Sequence, residues 1–192
     1  MQEAGLRTAL IAAALKLLES GDADVSLRAV ARAAGVSAMA PYRHFADKAA
    51  LLGAVADRGF DELRDRLRRA DDGEDVPVAA LVAQGMAYVD MALKRPSLFR
   101  LMFADTRLAT ATVECGTTAY AVLATRVATI AGAGHPHAAV ACWGIVHGLA
   151  MLSLDGRLPH DRAAREQVLM LFAAGLPRAP SPSPPRRGKG RV

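Results

Sequence analysis

The residues best suited to chemistry in this sequence are polar side chains on both sides of a short Gly35-Val36-Ser37 segment. Arg28 precedes the segment, and Tyr42, His44 and Lys48 follow it closely. Each of these side chains can donate a hydrogen bond to a phosphate oxygen, and such contacts position proteins on DNA. The backbone N–H of Lys48 also lies at a predicted helix N-terminus, which favours an anion. The spacing therefore predicts a surface that contacts phosphate.

Two short helices are needed to position these side chains. Ser26 is predicted to cap the first helix, whose apolar residues recur at helical spacing: Leu27, Val30, Ala31 and Ala34. Gly35 can adopt the positive φ that ends this helix, and Ser37 is predicted to cap a second helix from about Ala38 to Phe45. Two helices joined by a three-residue turn with Gly match the helix-turn-helix pattern, although a purely structural hairpin can look the same.

The second helix of such a motif lies in the major groove with its N-terminal residues against base edges. Here those residues are Ala38, Met39, Ala40 and Pro41, which offer only apolar contact with thymine methyl groups. Specificity is therefore expected to depend on the flanking polar side chains and on DNA shape. The predicted DNA contacts are Ser26, Arg28, Ser37, Ala38, Met39, Ala40, Tyr42, His44 and Lys48. Phe45 is expected to pack in the core, and Tyr42 to keep its hydroxyl outward.

The rest of the sequence predicts an all-α fold, because Ala and Leu dominate and no stretch alternates apolar and polar residues. The remaining helices are predicted at about 6–20, 48–69 behind an Asp47 cap, 77–94, 97–103, 108–131, 136–154 and, capped by Asp161, up to 174. We expect a three-helix helix-turn-helix domain over residues 1–52 and a helical domain over residues 53–176. Residues 177–192 are rich in Pro and contain no large hydrophobic residue before Val192, so they are predicted to be disordered.

The net charge does not by itself indicate DNA binding. The chain has 24 Lys+Arg and 19 Asp+Glu, a net charge of +5. Residues 176–192 hold five basic side chains and no acidic one, so they account for the whole excess. Residues 1–52 hold six basic and five acidic side chains, which gives only +1. The basic tail either adds nonspecific attraction to DNA or is simply a solvated terminus.

Several other classes of protein are disfavoured. Cys115 and Cys142 lie far apart, which fits a reducing cytoplasm without a disulfide scaffold. Residues 127–154 lack charged side chains, but Gly, Pro and His interrupt them, so no membrane span is expected. His135 and His137 have no Cys or carboxylate cluster beside them, and no metal site or cofactor is predicted. The sequence also lacks G-x-S-x-G, P-loop and dinucleotide-binding motifs, so no enzyme activity is expected.

Large apolar residues in the second half predict a cavity for a small apolar ligand, although residues at this spacing also form ordinary cores. They are Met86, Tyr88, Met91, Phe99, Met102, Phe103, Trp143 and His147. His147 shares a helix face with Trp143, four residues earlier, and either orients a ligand or is a structural histidine. Asp90 either marks the solvent face or belongs to the pocket. The predicted ligand-binding residues are Met86, Asp90, Phe99, Met102, Phe103, Trp143 and His147.

Residues 25–55, VSLRAVARAAGVSAMAPYRHFADKAALLGAV, resemble the DNA-binding domain of the TetR family of bacterial transcriptional regulators. The most specific part is GVS-x4-YRHF-x-DK-x2-LL, from Gly35 to Leu52. The segment Trp143 to Gly148 is similar to a Trp-His-Gly motif in the C-terminal domain of one TetR-like subgroup. The resemblance implies that Tyr42 and Lys48 contact backbone phosphate. It also implies that the last two helices form a four-helix dimer interface.

The resemblance implies a homodimeric regulator, a repressor that responds to a small apolar ligand and binds a palindromic DNA operator in the cytoplasm. Small residues on the penultimate predicted helix would permit close helix approach in the dimer: Ala138, Ala139, Ala141, Gly144 and Gly148. Two alternatives remain open at this point. The first is a constitutive DNA-binding dimer without an inducer, and the second is an all-α small-molecule-binding protein or enzyme with an incidental helix hairpin.

Overall fold

The computed structural model describes residues 3–21, 25–104, 109–132, 134–159 and 161–178, with side chains except those of residues 3, 4 and 109–117. This part of the chain is entirely helical, which confirms the predicted fold class. The elements are α1 (Glu3–Glu19), α2 (Leu27–Ala33), a 3-10 turn (Pro41–Arg43), α3 (Lys48–Asp72), α4 (Pro77–Lys94), α5 (Pro96–Phe103), α6 (Ala109–Ala131), α7 (Ala138–Leu154) and α8 (Arg162–Ala174). The predicted tail beyond Arg178 and the side chain of Cys115 lie outside the described residues.

Three of the predicted helix caps are present. The Ser26 hydroxyl accepts the Ala29 N–H at 3.2 Å at the start of α2. The Asp47 carboxylate accepts the Ala50 N–H at 2.7 Å at the start of α3, and Asp161 caps α8 in the same way. Gly35 has a φ of +69°, the conformation expected of the residue that ends α2. These caps satisfy N–H groups that the first turn of a helix would otherwise leave unpaired.

The segment after Gly35 differs from the prediction. In place of an α-helix from Ala38 to Phe45 there is a single 3-10 turn, Pro41–Arg43. Pro41 has no N–H to donate to the Ser37 carbonyl, which instead accepts the Ala40 N–H at 3.0 Å. The turn begins at Ala40 without a side-chain cap, so the predicted capping role of Ser37 is also wrong. The second element of the motif is therefore shorter and tighter than expected.

α3 is the central element of the fold. It packs against α1 at its beginning and against α4, α5 and α6 further along. Its large buried residues are Leu51, Val55, Phe60, Leu63 and Leu67, and all four residues from Gly53 to Ala56 are buried as well, so other helices cover α3 on more than one side. The domain boundary expected between residues 52 and 53 falls inside this helix. α3 therefore connects the N-terminal helices with the helical second half as one continuous helix.

Two helix ends differ from the predicted bounds for identifiable reasons. α3 continues past Arg69 to Asp72 because α4 and α6 bind its last turn, where Asp71 accepts Gln84 Nε2 at 2.6 Å and Arg126 Nε at 2.7 Å. α7 begins at Ala138 rather than Pro136, because a turn in which Ala138 N–H donates to the His135 carbonyl precedes it.

None of the described helices is long and apolar enough to cross a membrane. The described side chains also include no group of three or more His, Cys, Asp or Glu residues arranged to hold a metal ion.

Candidate functional sites

The helix-turn-helix segment is anchored by two buried residues. Pro41 is buried, and Phe45 is only 3% exposed. The Arg7 guanidinium of α1 lies 5.3 Å from the centre of the Phe45 ring, a cation–π arrangement that holds α1 against the turn. The expected core position of Phe45 is confirmed. With these residues fixed, their neighbours in the segment face outward.

The predicted DNA-contacting residues form an exposed surface around the turn. Arg28, Ser37, Ala38, Met39, Tyr42 and Lys48 are exposed, whereas Ser26, Ala40 and His44 are half-buried. Met39 is 68% exposed and Tyr42 is 45% exposed, values that stand out for large apolar and aromatic side chains. The hydroxyl of Ser26 caps α2, so this residue has a structural role in addition to any contact with DNA.

Basic side chains on this surface form no ion pair within the described part of the chain. They are Arg28, Arg32, Arg43 and Lys48, and all four are exposed. Arg32 and Arg43 were not among the DNA contacts predicted from the sequence. The sequence feature that could have identified Arg32 and Arg43 is their position as basic residues inside the helix-turn-helix motif. An exposed cation without an internal partner is available to phosphate. The surface can therefore bind a polyanion although residues 1–52 have a net charge near zero.

A groove of about 590 Å³ lies between α4 and α8. Its α4 side includes Val82, Met86 and Asp90, and its α8 side includes Arg162, Glu166, Met170 and Ala174. Asp90 Oδ2 accepts Arg162 Nη1 at 2.9 Å across the groove. Two of the predicted ligand residues, Met86 and Asp90, therefore line one cavity. Sequence reasoning missed the α8 wall, although its spacing of four residues places the wall on one helix face.

Four of the other five predicted ligand residues, Phe99, Phe103, Trp143 and His147, lie with Tyr88 in an aromatic cluster on a different side of α4. The fifth, Met102, is buried against Gly59 of α3. The His147 ring centre lies 4.6 Å from that of Phe103 and 5.9 Å from that of Phe99. The structure thus separates the predicted ligand residues into a groove pair, a packed aromatic cluster and Met102.

Tyr88 and His147 form a hydrogen bond with each other inside the cluster. The Tyr88 hydroxyl lies 2.9 Å from His147 Nδ1. Burial raises the pKa of Tyr88 well above its usual value and lowers the pKa of His147. Both groups are therefore neutral near pH 7, and they share one hydrogen bond whose donor is set by the tautomer of the His147 ring. This bond gives His147 a structural partner, one of the two roles considered for it.

α7 and α8 expose large apolar side chains that the described chain does not cover. They are Val140, Ile145 and Leu152 on α7, and Val168, Met170 and Leu171 on α8. Gly144 and Gly148 lie among the α7 residues, and a Cβ atom on either would meet nothing within 4 Å. Leu171 is 76% exposed, more than any other large apolar residue described. Apolar faces of this kind usually mark an interaction surface.

Comparisons with known proteins agree with these features. Residues 10–55 match the family described as bacterial regulatory proteins, tetR family, and residues 81–175 match the tetracyclin repressor-like C-terminal domain. A protein of unknown function from Rhodococcus sp. RHA1 is 32% identical, with a TM-score of 0.78 over 90% of this chain and 96% of that one. No curated protein matches the chain.

Two more distant solved structures share the fold. A TetR family transcription regulator from Marinobacter aquaeolei VT8 is 20% identical, with a TM-score of 0.65 over 87% of this chain and 92% of that one. FadR from Bacillus subtilis, solved in complex with stearoyl-CoA, is 14% identical, with a TM-score of 0.69 over 88% and 98%. The chain belongs to the TetR family of bacterial transcriptional regulators, with an N-terminal helix-turn-helix domain and a helical C-terminal domain.

Proposed function

We propose that this protein is a cytoplasmic, homodimeric repressor that binds a palindromic operator and releases it when a small apolar ligand binds. The observation that carries the DNA-binding part is the exposed surface of the helix-turn-helix segment. Met39 and Tyr42 face outward while Pro41 and Phe45 anchor the segment from below. Because about two thirds of Met39 is exposed, an external surface such as the major groove is its natural partner.

Dimerisation through α7 and α8 supplies the second half-site. One helix-turn-helix reads only a few base pairs, and a two-fold dimer places two such elements about 34–36 Å apart, or a multiple of that distance. The exposed apolar faces of α7 and α8 would be covered by the same faces of a second copy. Gly144 and Gly148 would let two α7 helices approach closely, because neither position carries a side chain.

The groove between α4 and α8 is the proposed ligand site, and Met86 and Asp90 lie on its wall. α4 contacts α3 directly, and the cluster at Phe99 and Phe103 links α4 through α5 to Phe60 of α3. α3 begins in the DNA-binding domain. A ligand that binds one arrangement of these helices more tightly shifts the dimer toward that arrangement and away from the operator spacing.

The test begins with operator fragments selected from genomic DNA by the full chain, and binding is then measured by fluorescence anisotropy. We expect an inverted repeat with half-sites about one helical turn apart, or a multiple of that. Transcription in vitro from the neighbouring promoter should fall when the protein is added. Failure to bind any selected fragment at low salt would overturn the proposal, and activation of the promoter would overturn the repressor role.

A constitutive DNA-binding dimer is the second candidate, and the packing of the aromatic cluster favours it. Tyr88 and His147 form a hydrogen bond with each other there, and Tyr88 and Phe99 are buried, so these residues form a core without any ligand. A thermal-shift screen of small molecules separates the two candidates. If no compound stabilises the protein, the proposed ligand response is wrong, and the constitutive DNA-binding dimer is the remaining candidate.

A further inference from the structure

We propose that the groove between α4 and α8 selects organic cations with an apolar body over anions of the same shape. This inference names the ligand class for the ligand response proposed above and rests on it. It is carried by the charges around the groove and by the apolar character of its walls.

The floor of the groove suits a bulky apolar group. Ala79, Ala83 and Ala87 recur every four residues along α4 and line the groove with small side chains. Val82 and Met86 extend the α4 side, and Met170 faces them from α8. Met170 is more than half exposed, so this apolar surface is open to a ligand. Burying such surface favours binding in proportion to its area.

The charged residues of the groove are mostly acidic. Glu74, Asp90 and Glu166 contribute three carboxylates, and Arg162 contributes the single guanidinium. Arg162 donates to Asp90, so that guanidinium is already paired. Glu74 and Glu166 form no ion pair with any residue in the described ranges. Three negative charges and one positive charge leave the groove at about −2 near pH 7.

This charge balance determines whether the groove favours a positively or a negatively charged ligand. A cation in the groove would lie near two carboxylates that lack an internal partner, which favours its binding electrostatically. A ligand that carries a carboxylate or phosphate would meet the same two groups as like charges, and the charge of Arg162, the one cation that lines the groove, is already offset by Asp90. The carboxylates of the groove therefore select ligands by charge, and its alanine floor selects ligands whose apolar body fits against small side chains.

The test uses two ions of the same shape and opposite charge, tetraphenylphosphonium and tetraphenylborate, in calorimetric titrations of the full chain. We expect the cation to bind and the anion to bind at least about tenfold more weakly. Glu166→Gln and Glu74→Gln should each weaken cation binding about fivefold, the scale of one exposed charge interaction. Asp65→Asn, which removes a half-exposed carboxylate that pairs with Arg64 and does not line the groove, is the control and should leave cation binding unchanged.

Two further variants test the site itself. Glu166→Lys should reduce or reverse the preference for the cation. Ala83→Phe should fill the floor and abolish binding of both ions, and circular dichroism should show an unchanged fold. If Ala83→Phe does not fold, Glu166→Lys still decides the question. Equal binding of both ions, or unchanged affinity in Glu166→Lys, would overturn the proposal. Loss of the dimer in folded Ala83→Phe would also overturn it, because a second copy would then occupy the groove.

The operator assay separates this inference from the proposed function. If tetraphenylphosphonium binds the wild-type groove but leaves operator affinity unchanged, the charge selection holds and the ligand response fails. If the protein represses its promoter and a different compound releases it, while the cation does not bind, the inference fails and the proposed function stands.

Discussion

At the residue scale, the exposed cations of the helix-turn-helix segment differ in what they can contribute. Lys48 is the first residue of α3, directly after the Asp47 cap, and its side chain is exposed. Its backbone N–H and its ammonium can therefore serve one phosphate together. Arg28 occupies the first turn of α2, where a long side chain can reach either a phosphate or a base edge. Lys48 is accordingly expected to supply affinity rather than specificity.

Replacing Lys48 by Ala should weaken binding to all DNA sequences alike, because the contact is to phosphate and carries no sequence information. The slope of log affinity against log salt concentration should fall by about one. Lys94→Ala removes another exposed cation, at the end of α4, and should change neither quantity. Anisotropy titrations at several salt concentrations measure both. An unchanged slope in Lys48→Ala would contradict the phosphate contact.

Asp57 is a residue whose charge opposes folding. Its Oδ1 is buried without a hydrogen-bond partner in the described chain, and burial, with a smaller effect of Asp61, raises its pKa. Asp57→Asn should raise the free energy of unfolding at pH 7 by up to about 1 kcal/mol. Because the folded-state pKa is raised, the penalty is present above that pKa and disappears as the pH falls through it.

Denaturant unfolding at pH 7 and at pH 4 measures this effect. The gain of Asp57→Asn over wild type should shrink at the lower pH, where the wild-type carboxyl is protonated to a greater extent. Asp72→Asn, at an exposed position of the same helix, is the control and should change stability little. A destabilised Asp57→Asn would show that the carboxylate is needed, for example by Arg7.

At the element scale, the sequence predicted where helices begin better than which kind of helix forms. The caps at Ser26 and Asp47 were predictable because capping depends on residues a few positions apart. The missing N–H of Pro41 was visible in the sequence, but its consequence depended on competition between 3-10 and α-type bonds over one turn. Local pattern identified the motif and could not resolve that competition.

The end of α3 shows what local pattern lacks altogether. The run Asp71-Asp72-Gly73-Glu74-Asp75 suggests a polar break after a helix that ends near Arg69, yet Asp71 accepts hydrogen bonds from Gln84 of α4 and Arg126 of α6 and lies within the helix. The same limit applies to the ligand residues. Helical spacing placed Met86 and His147 on apolar faces, but only the packing of α4, α7 and α8 assigns them to a groove and a cluster.

Removing the link between α3 and α6 should be costly. Arg126→Ala leaves the half-buried Asp71 with Gln84 as its remaining partner, and we expect a loss of about 1–2 kcal/mol in the free energy of unfolding. Hydrogen bonds from Arg126, and to a lesser degree from Gln84, lower the pKa of Asp71. Its contribution is therefore present above the unfolded-state pKa and is lost as the pH falls through the folded-state pKa.

Arg64→Ala is the matched control, because among the residues that the structure describes Arg64 pairs only with Asp61 and Asp65 of its own helix, both about half exposed. That variant should lose less than about 0.5 kcal/mol. Unfolding curves between pH 3 and pH 7 should also show a weaker acid dependence in Arg126→Ala than in wild type. Equal losses of unfolding free energy in the two variants would mean that the pair between Arg126 of α6 and Asp71 of α3 stabilises the fold no more than an ordinary surface ion pair.

At the scale of the whole molecule, α8 has two different outer surfaces. Arg162, Glu166 and Met170 line the groove toward α4, whereas Val168 and Leu171 point away from it. A second copy that covers Val168 and Leu171 would leave the groove open to a ligand. The ligand would then contact the same helix that holds the dimer together. A change in the position of α8 could in this way alter the spacing of the two DNA-binding domains.

Leu171→Glu should separate the proposed dimer into folded monomers, because it places a carboxylate on the most exposed apolar position of the face in both copies. Its folded monomer loses little, since nothing in the described chain packs over this side chain. Affinity for a full palindrome should fall on the order of 100-fold toward that of a half-site, because the second site no longer binds intramolecularly. Sedimentation velocity and operator titrations measure the two effects.

Met39→Glu is the matched control, since Met39 is a similarly exposed apolar residue on the proposed DNA surface. It should remain a dimer and lose operator affinity for a different reason, because its carboxylate would face phosphate oxygens. The two variants therefore fail in distinguishable ways: the first binds a half-site as wild type does, and the second binds neither half-site nor palindrome well. A dimeric Leu171→Glu with wild-type operator affinity would exclude the α7 and α8 faces as the means by which two half-sites are read together.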